Sequence, residues 1–363
     1  MDQNVKLDEI KTKRQMTSDY IFRFIVPIVF IVLCGIGYNL SELQFTFVLN
    51  EVITRLARNS FLVISLIIPV IAGMGLNFGI VLGAIAGQIA LVFVTDHSLG
   101  GLSGLLIAFL VSTPLAIVFG YLVGQVLNRA KGKEMITSMI LGFFANGVYQ
   151  LVFLVFAGTI IPFKTEKLII STGMGVRNSV DLIGVRQALD NVWKIRPYQG
   201  LTVPMSTIIV VGLLCLTLTF FLRTKLGQEM RTVGQNMHIA EVSGINVDRT
   251  RITAIIISTV LAAWGQIIFL QNIGTLNTYG SHEQVGLFAV ASLLIGGASV
   301  TKATYRQALL GTFLFHMLFI ISPMAGQNLM GDSQIGEFFR VFVAYGVIGL
   351  ALLLHAWQKR GKK

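Results

Sequence analysis

Amide side chains recur inside long apolar stretches of this sequence, where they could bind a polar solute. Six of them lie in or beside such stretches: Asn77, Gln88, Asn146, Gln150, Gln266 and Asn272. Amides can hydrogen-bond a neutral hydroxylated molecule without the larger cost of burying a charge. Asn146 and Gln150 are four residues apart and would share one face of a helix. The alternative is that these amides only join neighbouring helices, at roughly 0.6 kcal/mol for each bond.

Aromatic side chains accompany the amides and could pack against the flat face of a ring. They are Phe143, Phe144 and Trp264. The two sets together predict a candidate solute path, which is lined by Asn77, Gln88, Phe143, Asn146, Gln150, Trp264, Gln266 and Asn272.

The sequence contains no motif for covalent catalysis, metal binding or nucleotide binding. The sequence has no HExxH motif and no Gly-x-Ser-x-Gly elbow, so we predict no metal site and no catalytic residue. His316 either lines a path or is a buried imidazole bonded to a neighbouring helix. A phosphate-binding Gly-x-x-x-x-Gly-Lys-Ser/Thr loop is also missing, because Gly132–Lys133 is followed by Glu134. We expect no cofactor in this chain, and any ATP with its Mg must be bound by a partner.

The composition identifies the environment that must hold these residues. Of the 363 residues, 54% are hydrophobic and only 12% are charged, whereas a soluble domain carries roughly 25% charged residues. A soluble chain of this composition would expose large apolar patches. The sequence therefore predicts an integral membrane protein, in which lipid solvates the apolar side chains.

Ten apolar stretches approach the roughly 20 residues that cross a bilayer. They are Ile21–Tyr38, Ser60–Gly75, Phe78–Val94, Gly104–Leu127, Met135–Phe156, Val203–Leu222, Ile252–Leu270, Val285–Val300, Ala308–Ile321 and Phe338–Trp357. Because these runs are continuous and not alternating, they favour helices over a β-barrel. We predict an all-α, polytopic membrane helix bundle of about ten transmembrane helices over residues 21–357. The Gly73–Gly75 junction is a candidate break between the second and third helices.

The placement of lysine and arginine predicts the orientation of the bundle. Eighteen of the 28 cations fall inside if five segments are cytoplasmic: the tail 1–20, the basic tail 358–363, the loop 223–251 and the two connections that hold Arg129–Lys133 and Lys302–Arg306. Residues 158–201 then form a long external loop. The net charge of +11 is explained by this topology and by anionic membrane lipid, and not by nucleic acid.

The positions of charged residues also indicate what could energise transport and which solutes the spans could bind. We expect all seventeen carboxylates in tails, in loops or at helix ends, whereas ion-coupled transporters usually hold one at membrane depth. Arg55 and Arg58 are expected in a loop, and Arg23 and Arg340 at helix ends. Because an ion would find no fixed partner in the spans, the sequence favours a neutral solute over a zwitterionic amino acid.

The loop 223–251 contains a short helix with signals for both of its ends. Asn236 can cap its first turn, Met237–Ser243 can form about two turns, and Gly244 can end it in the left-handed conformation. A short rigid helix between two spans can transmit a push to them. The alternative is an ordinary amphipathic turn at the membrane surface.

The amino-acid sequence of this loop resembles that of a known family. Gly227-Gln-Glu-Met-Arg-Thr-Val-Gly-Gln-Asn236 and Ala240-Glu-Val-Ser-Gly-Ile-Asn-Val-Asp-Arg-Thr-Arg251 strongly resemble the coupling segment of bacterial ABC importer permeases. The group is the one for simple sugars, nucleosides and branched-chain amino acids. Leu293-Leu-Ile-Gly-Gly-Ala-Ser299 and Gly73-Met-Gly-Leu-Asn-Phe-Gly79 are also similar, so the resemblance runs from about Gly73 to the C-terminus.

The resemblance implies partners and a location. It implies a multi-pass protein of the bacterial inner membrane, paired with a second permease subunit as a homo- or heterodimer. It also implies a cytoplasmic ATP-binding cassette ATPase and an extracytoplasmic solute-binding protein or lipoprotein. The residues that would then contact the ATPase are Asn236, Met237, Ala240, Glu241, Ser243, Gly244 and Ile245.

The resemblance narrows the solute to two classes, simple sugars and nucleosides. The long segment 158–201 departs from the sugar permeases and, together with Lys133–Leu141, looks more like the nucleoside branch. Alternatively, the segment is an insertion with no bearing on the substrate. The predicted function is a permease subunit that forms the path for a neutral simple sugar or nucleoside. The alternative is a stand-alone secondary transporter or channel for a small polar solute.

Overall fold

Helices form most of the chain, as the apolar stretches predict. The structure is a computed structural model that describes residues 25–165, 168–171 and 173–360. The predicted tail 1–20, Arg23 and the final residues 361–363 lie outside the described residues. The helices are α1 (Ile25–Ser41), α2 (Phe45–Ser65), α3 (Ile67–Ile71), α4 (Ile80–Asp96), α5 (Gly101–Arg129), α6 (Glu134–Leu151), α7 (Met205–Phe221), α8 (Lys225–Gln235), α9 (Met237–Val242), α10 (Val247–Ile273), α11 (Val285–Ile295), α12 (Tyr305–Met330) and α13 (Ser333–Arg360).

Several of these helices can cross a bilayer by length and composition. Five candidates meet that criterion in the described part of the chain: Phe45–Ile71, Gly101–Arg129, Glu134–Phe156, Val247–Ile273 and Tyr305–Met330. A sixth would join α7 and α8, which are bent by 76°. The helices α1, α4 and α11 are apolar but shorter. A helical membrane protein is therefore confirmed, whereas the count of ten crossings stays a prediction.

The second predicted span begins in the wrong place. Its helix starts at Phe45 and not at Ser60, and it ends with α3 at Ile71. The charged residues Glu51, Arg55 and Arg58 interrupt the hydropathy of this stretch, so the sequence suggested a loop.

The helix α2 accommodates these charges on one side. Val48 and Val52 are buried one turn apart, and the Arg55 guanidinium lies 3.2 Å from the Glu51 carboxylate one turn earlier. Glu51 therefore lies inside a helix, and the expectation that every carboxylate lies in a tail, in a loop or at a helix end is wrong. Arg55 and Arg58 are likewise not loop residues.

The helix α10 lies at the centre of the bundle and packs against α5, α4 and α2. Glycines allow α4 to approach it closely. A Cβ atom on Gly83 would lie 2.5 Å from the carbonyl oxygen of Thr259, and one on Gly87 would lie 2.6 Å from that of Ala263. Gly83 and Gly87 therefore serve the close packing of α4 against α10.

The predicted break between the second and third spans is present. Non-helical backbone separates α3 from α4, and Gly73 and Gly75 have φ angles of 75° and 71°, which disfavour any residue with a Cβ. A Cβ atom on Gly73 would also lie 2.7 Å from the Cα atom of Gly234 in α8. The break therefore meets the segment that follows α7.

The fifth predicted span ends in a π-helical turn, Val152–Phe156, and a long connection then leads to α7. The connection contains β1 (Ser179–Asp181), β2 (Lys194–Tyr198) and β3 (Leu201–Pro204). The strand β1 pairs antiparallel with β4 (Thr275–Asn277), which follows α10, and β2 pairs with β3. These short strands modify the all-α prediction only outside the long helices.

The connection is anchored to the bundle by a carboxylate. The Asp96 side chain, at the end of α4, accepts hydrogen bonds from the backbone N–H groups of Lys164 and Thr165, each at 2.9 Å. Trp193 and Tyr198 are nevertheless exposed. The connection therefore has a fixed base and an exposed aromatic surface.

Candidate solute cavity and coupling surface

One cavity of about 370 Å³ lies where α2, α10, α11 and α12 meet the segment between β4 and α11. This volume falls within the range of small-molecule sites. Its lining includes Arg55, Arg58, Asn59, Phe269, Asn277, Ser281, Gln284, Phe288, Ser292, His316 and Phe319. We refer to it as the Arg58 cavity.

The Arg58 side chain is held by a chain of hydrogen bonds. Its Nη1 atom donates to Asn272 Oδ1 at 3.0 Å, and Asn272 Nδ2 donates to Asp190 Oδ2 at 2.7 Å. Asp190 is buried in the long connection and also accepts bonds from Thr207 and Gln271. The guanidinium of Arg58 therefore has a counter-charge, which it reaches through an amide.

The arginines of the spans lie in other places than their sequence context suggested. Arg55 and Arg58 lie within a helix and line a cavity, so the spans do offer fixed cations. Arg340 lies within α13 and not at its end. Its Nη1 atom donates to the Phe319 carbonyl oxygen at 2.9 Å, and its Cζ atom lies 4.5 Å from the centroid of the Phe319 ring. The statement that an ion would find no partner in the spans is therefore wrong.

A second cavity of about 310 Å³ contains two of the predicted path residues. Phe143 and Asn146 line it, together with Phe78, Met139, Glu283 and Tyr345, and Gln284 borders both cavities. Both ends of the Asn146 amide are hydrogen-bonded: its nitrogen donates to Glu283 Oε1 at 2.8 Å, and its oxygen accepts from Gln150 Nε2 at 3.2 Å.

His282 contacts the same amide. Its Nε2 atom lies 2.8 Å from Asn146 Oδ1, and because an amide oxygen only accepts, Nε2 carries the proton. The ring packs edge to face with Tyr149 at 4.8 Å between centroids. His282 is fully buried, and this burial lowers its pKa from 6.5 to about 4.

The other predicted path residues lie between helices. Gln88 and Gln266 are fully buried, and Gln266 Nε2 donates to the Ser281 carbonyl oxygen at 3.2 Å. Trp264 Nε1 donates to Thr113 Oγ1 at 3.0 Å. Asn77 accepts from the N–H of Gly79 at 2.9 Å in the turn before α4. None of these four residues lines either described cavity, and their role in transport stays a prediction.

The capped helix predicted in the loop 223–251 is present as α9. Asn236 Oδ1 accepts from the N–H groups of His238 and Ile239 at 3.0 and 3.2 Å, and Gly244 has a φ angle of 77°. The preceding helix α8 was not predicted. Both ends of α9 could be predicted from the sequence, because capping depends on residues that are close together in the chain.

The helix α9 rests on a small apolar base and exposes an apolar edge. Ala240 is fully buried among Val233, Val247, Met237 and Ile245. On the opposite side Ile239 and Val242 are 56% and 77% exposed. We call the exposed side, with Glu241 and Ser243, the coupling surface.

A buried ion pair connects this segment to the bundle. Arg251 in the second turn of α10 is fully buried, and its Nη2 atom lies 2.6 Å from Glu134 Oε1 at the start of α6. Its Nη1 atom lies 3.3 Å from the Met237 sulfur at the start of α9. Three elements thus meet on one guanidinium.

Comparison with known proteins identifies the family. The model of the branched-chain amino acid transport system permease component matches residues 48–354. Because this covers most of the chain, the protein belongs to that family of permease components. The match confirms the resemblance drawn from the coupling loop.

Individual relatives are more distant. The xylose transport system permease protein XylH of Escherichia coli K12 is 27% identical over 177 residues, 48% of this chain and 41% of the relative. The probable ABC transporter permease protein YphD of the same strain is 32% identical over 155 residues, 43% and 45%. The nucleoside ABC transporter permease protein NupB of Lactococcus lactis is 22% identical over 254 residues, 67% and 64%.

The first two matches therefore span less than half of the relatives' length, and the third about two thirds. No solved structure matches the chain significantly.

The buried ion pair yields a stability prediction. The substitution Glu134→Gln should leave the Arg251 charge buried without a counter-charge and lower the free energy of unfolding by about 3–5 kcal/mol. The measurement is unfolding of the purified protein in mixed detergent micelles. The matched control is Asp248→Asn, because the Lys131–Asp248 pair at 2.7 Å has side chains 41% and 61% exposed; this change should cost at most about 1 kcal/mol. Equal losses in the two variants would contradict a special role for the buried pair.

The buried imidazole yields a pH prediction. Because the folded-state pKa of His282 is about 4, the unfolded chain binds more protons between pH 6.5 and 4. His282 should therefore remove stability as the pH falls through this window, by about 3 kcal/mol in total. Thermal unfolding in detergent from pH 7 to 4 measures the loss, which His282→Gln should reduce. His97→Gln is the control, because that ring is partly exposed. An unchanged pH dependence in His282→Gln would refute the assignment.

Proposed function

We propose that this chain is the transmembrane permease subunit of an ATP-binding cassette importer. The observation that carries the proposal is the coupling surface, a capped helix with an exposed apolar edge on a chain of the permease family. Apolar side chains this exposed on a helix outside the long spans fit a docking surface for another protein. In this proposal the chain does not hydrolyse ATP itself.

The proposal requires partner chains. The sequence has no phosphate-binding loop, so ATP and Mg would be bound by a cytoplasmic ATP-binding cassette ATPase that docks on the coupling surface. A second permease subunit, identical or different, would complete the path. An extracytoplasmic solute-binding protein or lipoprotein would deliver the solute to the exposed aromatic surface of the long connection.

The proposed orientation follows from the same surfaces. The coupling surface and both termini would face the cytoplasm of a bacterial inner-membrane protein with ten crossings, and residues 158–201 would face outward. The helix α10 leads from the coupling surface to the Arg58 cavity. Its 27 residues give a length of about 40 Å, which is enough to cross the hydrocarbon core.

The proposed solute is a neutral simple sugar or nucleoside. The names of the relatives XylH and NupB support these two classes. The two arginines of the cavity do not oppose a neutral solute, because Glu51 pairs with Arg55 and Asp190 is linked to Arg58 through Asn272. The proposal of a neutral solute thus rests on charged residues that are paired, and not on an absence of charged residues from the spans.

A stand-alone ion-coupled transporter is the second candidate. The observation in its favour is Glu51, a partly buried carboxylate inside α2 whose Arg55 partner lines the Arg58 cavity. Uptake into cells whose ATP is depleted while the ion gradients are kept would distinguish the two. Continued uptake favours the ion-coupled transporter, and arrested uptake favours the importer.

Docking on the coupling surface can be tested by charge. Ile239→Asp and Val242→Asp should reduce solute-stimulated ATP hydrolysis of the reconstituted complex at least tenfold, because a carboxylate would be buried at an apolar contact. Membrane insertion should be normal, since both side chains are exposed. Met330→Asp, at an exposed position at the end of α12 and outside both proposed docking surfaces, is the control and should leave solute-stimulated ATP hydrolysis unchanged. Full stimulated activity in both coupling variants would count against the proposal.

The orientation can be tested by labelling engineered cysteines. A cysteine in place of Trp193 or Tyr198 should react in intact cells with an impermeant maleimide, whereas one in place of Val242 should react only after the cells are opened. The replaced side chains are all exposed, so accessibility depends on the side of the membrane. The reverse pattern would invert the proposed topology.

A further inference from the structure

Three residues that line the Arg58 cavity each carry a buried polar atom without a hydrogen-bond partner in the described structure. The atoms are Arg58 Nε, Ser292 Oγ and His316 Nδ1, and the residues belong to α2, α11 and α12. Buried polar groups are hydrogen-bonded in the large majority of cases, because an unmade bond costs free energy. Their convergence on one cavity indicates a ligand that completes their bonds.

The three atoms define what the ligand must offer. The Arg58 N–H group only donates, the Ser292 hydroxyl donates and accepts, and His316 Nδ1 does either according to its tautomer. A ligand that satisfies all three needs several oxygens, of which at least one accepts. Hydroxyl and carbonyl groups on a ring meet this requirement.

The remaining walls favour a ring. Phe269, Phe288 and Phe319 line the cavity, and aromatic side chains contact the faces and edges of rings. The Arg58 guanidinium lies 5.5 Å from the Phe269 ring centroid, so a donor and an aromatic surface lie side by side.

The charges around the cavity are paired, and this pairing disfavours an anion. Arg55 is paired with Glu51 at 3.2 Å, and Arg58 is linked through Asn272 to Asp190 by bonds of 3.0 and 2.7 Å. Two cations are thus matched by two carboxylates. An anion would gain little net attraction and would still lose its hydration.

We infer that Arg58, Ser292 and His316 form a solute-binding site inside this subunit, selective for an uncharged ring compound with several hydroxyl or carbonyl oxygens. Monosaccharides and nucleosides share this chemistry. The inference rests on the proposed function for its transport role and adds that this chain selects the solute itself, besides any external receptor.

The test is direct binding to the purified chain in lipid nanodiscs. The probes are radiolabelled xylose, ribose, adenosine and uridine, with gluconate as the anionic comparison. We expect saturable binding of a monosaccharide or a nucleoside and at least tenfold weaker binding of gluconate. Arg58→Gln should weaken the bound probe about tenfold or more, because it removes a charged donor.

A matched pair of serines separates binding from folding. Ser292→Ala removes a hydroxyl that makes no bond in the structure, so it should weaken binding about fivefold with no loss of thermal stability. Ser258 is also fully buried, but its Oγ donates to the Ser65 carbonyl oxygen at 2.8 Å and does not line the Arg58 cavity. Ser258→Ala should therefore leave the dissociation constant unchanged.

The outcomes distinguish the site from the proposed function. No saturable binding of any probe, or equal affinities in wild type, Arg58→Gln and Ser292→Ala, would overturn the site and leave a cavity filled by water alone. Tighter binding of gluconate would overturn the neutral class. ATP-driven uptake by the full complex is measured separately. If uptake requires ATP while the two variants bind and transport normally, the site fails and the importer stands.

Discussion

A buried charge must be neutralised where it lies, since removing a partner from a buried ion pair costs several kcal/mol. The protein meets this constraint near both ends of α10. At one end Arg251 pairs with Glu134, 117 residues away, and at the other Arg58 reaches Asp190 through Asn272, with the first bond spanning 214 residues. Neither pairing can form until α2, α6, α10 and the long connection are assembled. These two pairings therefore help to specify which helices are neighbours, while close van der Waals packing between helices holds the bundle together.

Features that depend on adjacent residues could be predicted from the sequence. The capped helix is the clearest case, because Asn236 bonds to the N–H groups of His238 and Ile239 and the left-handed Gly244 follows within two turns. The break at Gly73–Gly75 and the apolar helices belong to the same group. A run of apolar residues indicates a lipid or core environment directly. The number of membrane crossings is harder to predict, because several apolar helices here are shorter than a full crossing requires.

The candidate cavity could not be predicted, for two physical reasons. Hydropathy averages over faces, so Glu51, Arg55 and Arg58 masked a helix whose opposite side is buried. Hydrogen-bond partners far apart in sequence also decide which polar residues face a cavity: Gln266 is turned toward Ser281, and Asn272 is bound to both Arg58 and Asp190. One local signal was available, the Glu51–Arg55 spacing of four residues, which is typical of a helical ion pair.

The geometry of α10 relates the two ends of the molecule. Its first turns hold the guanidinium that contacts α9 and α6, and its last turns contribute Phe269 to the Arg58 cavity. Between them the Ser258–Ser65 bond and the close approach of Gly265 to Leu62 hold α2 against it. The cavity lies where this helix pair meets α11 and α12. The helix α8 also abuts the end of α3 through Gly234 and Gly73, so the segment that carries the coupling surface contacts both members of the pair. The pair α2 and α10 thus contributes to both sites, so in the proposed importer the coupling surface and the Arg58 cavity share the same two helices.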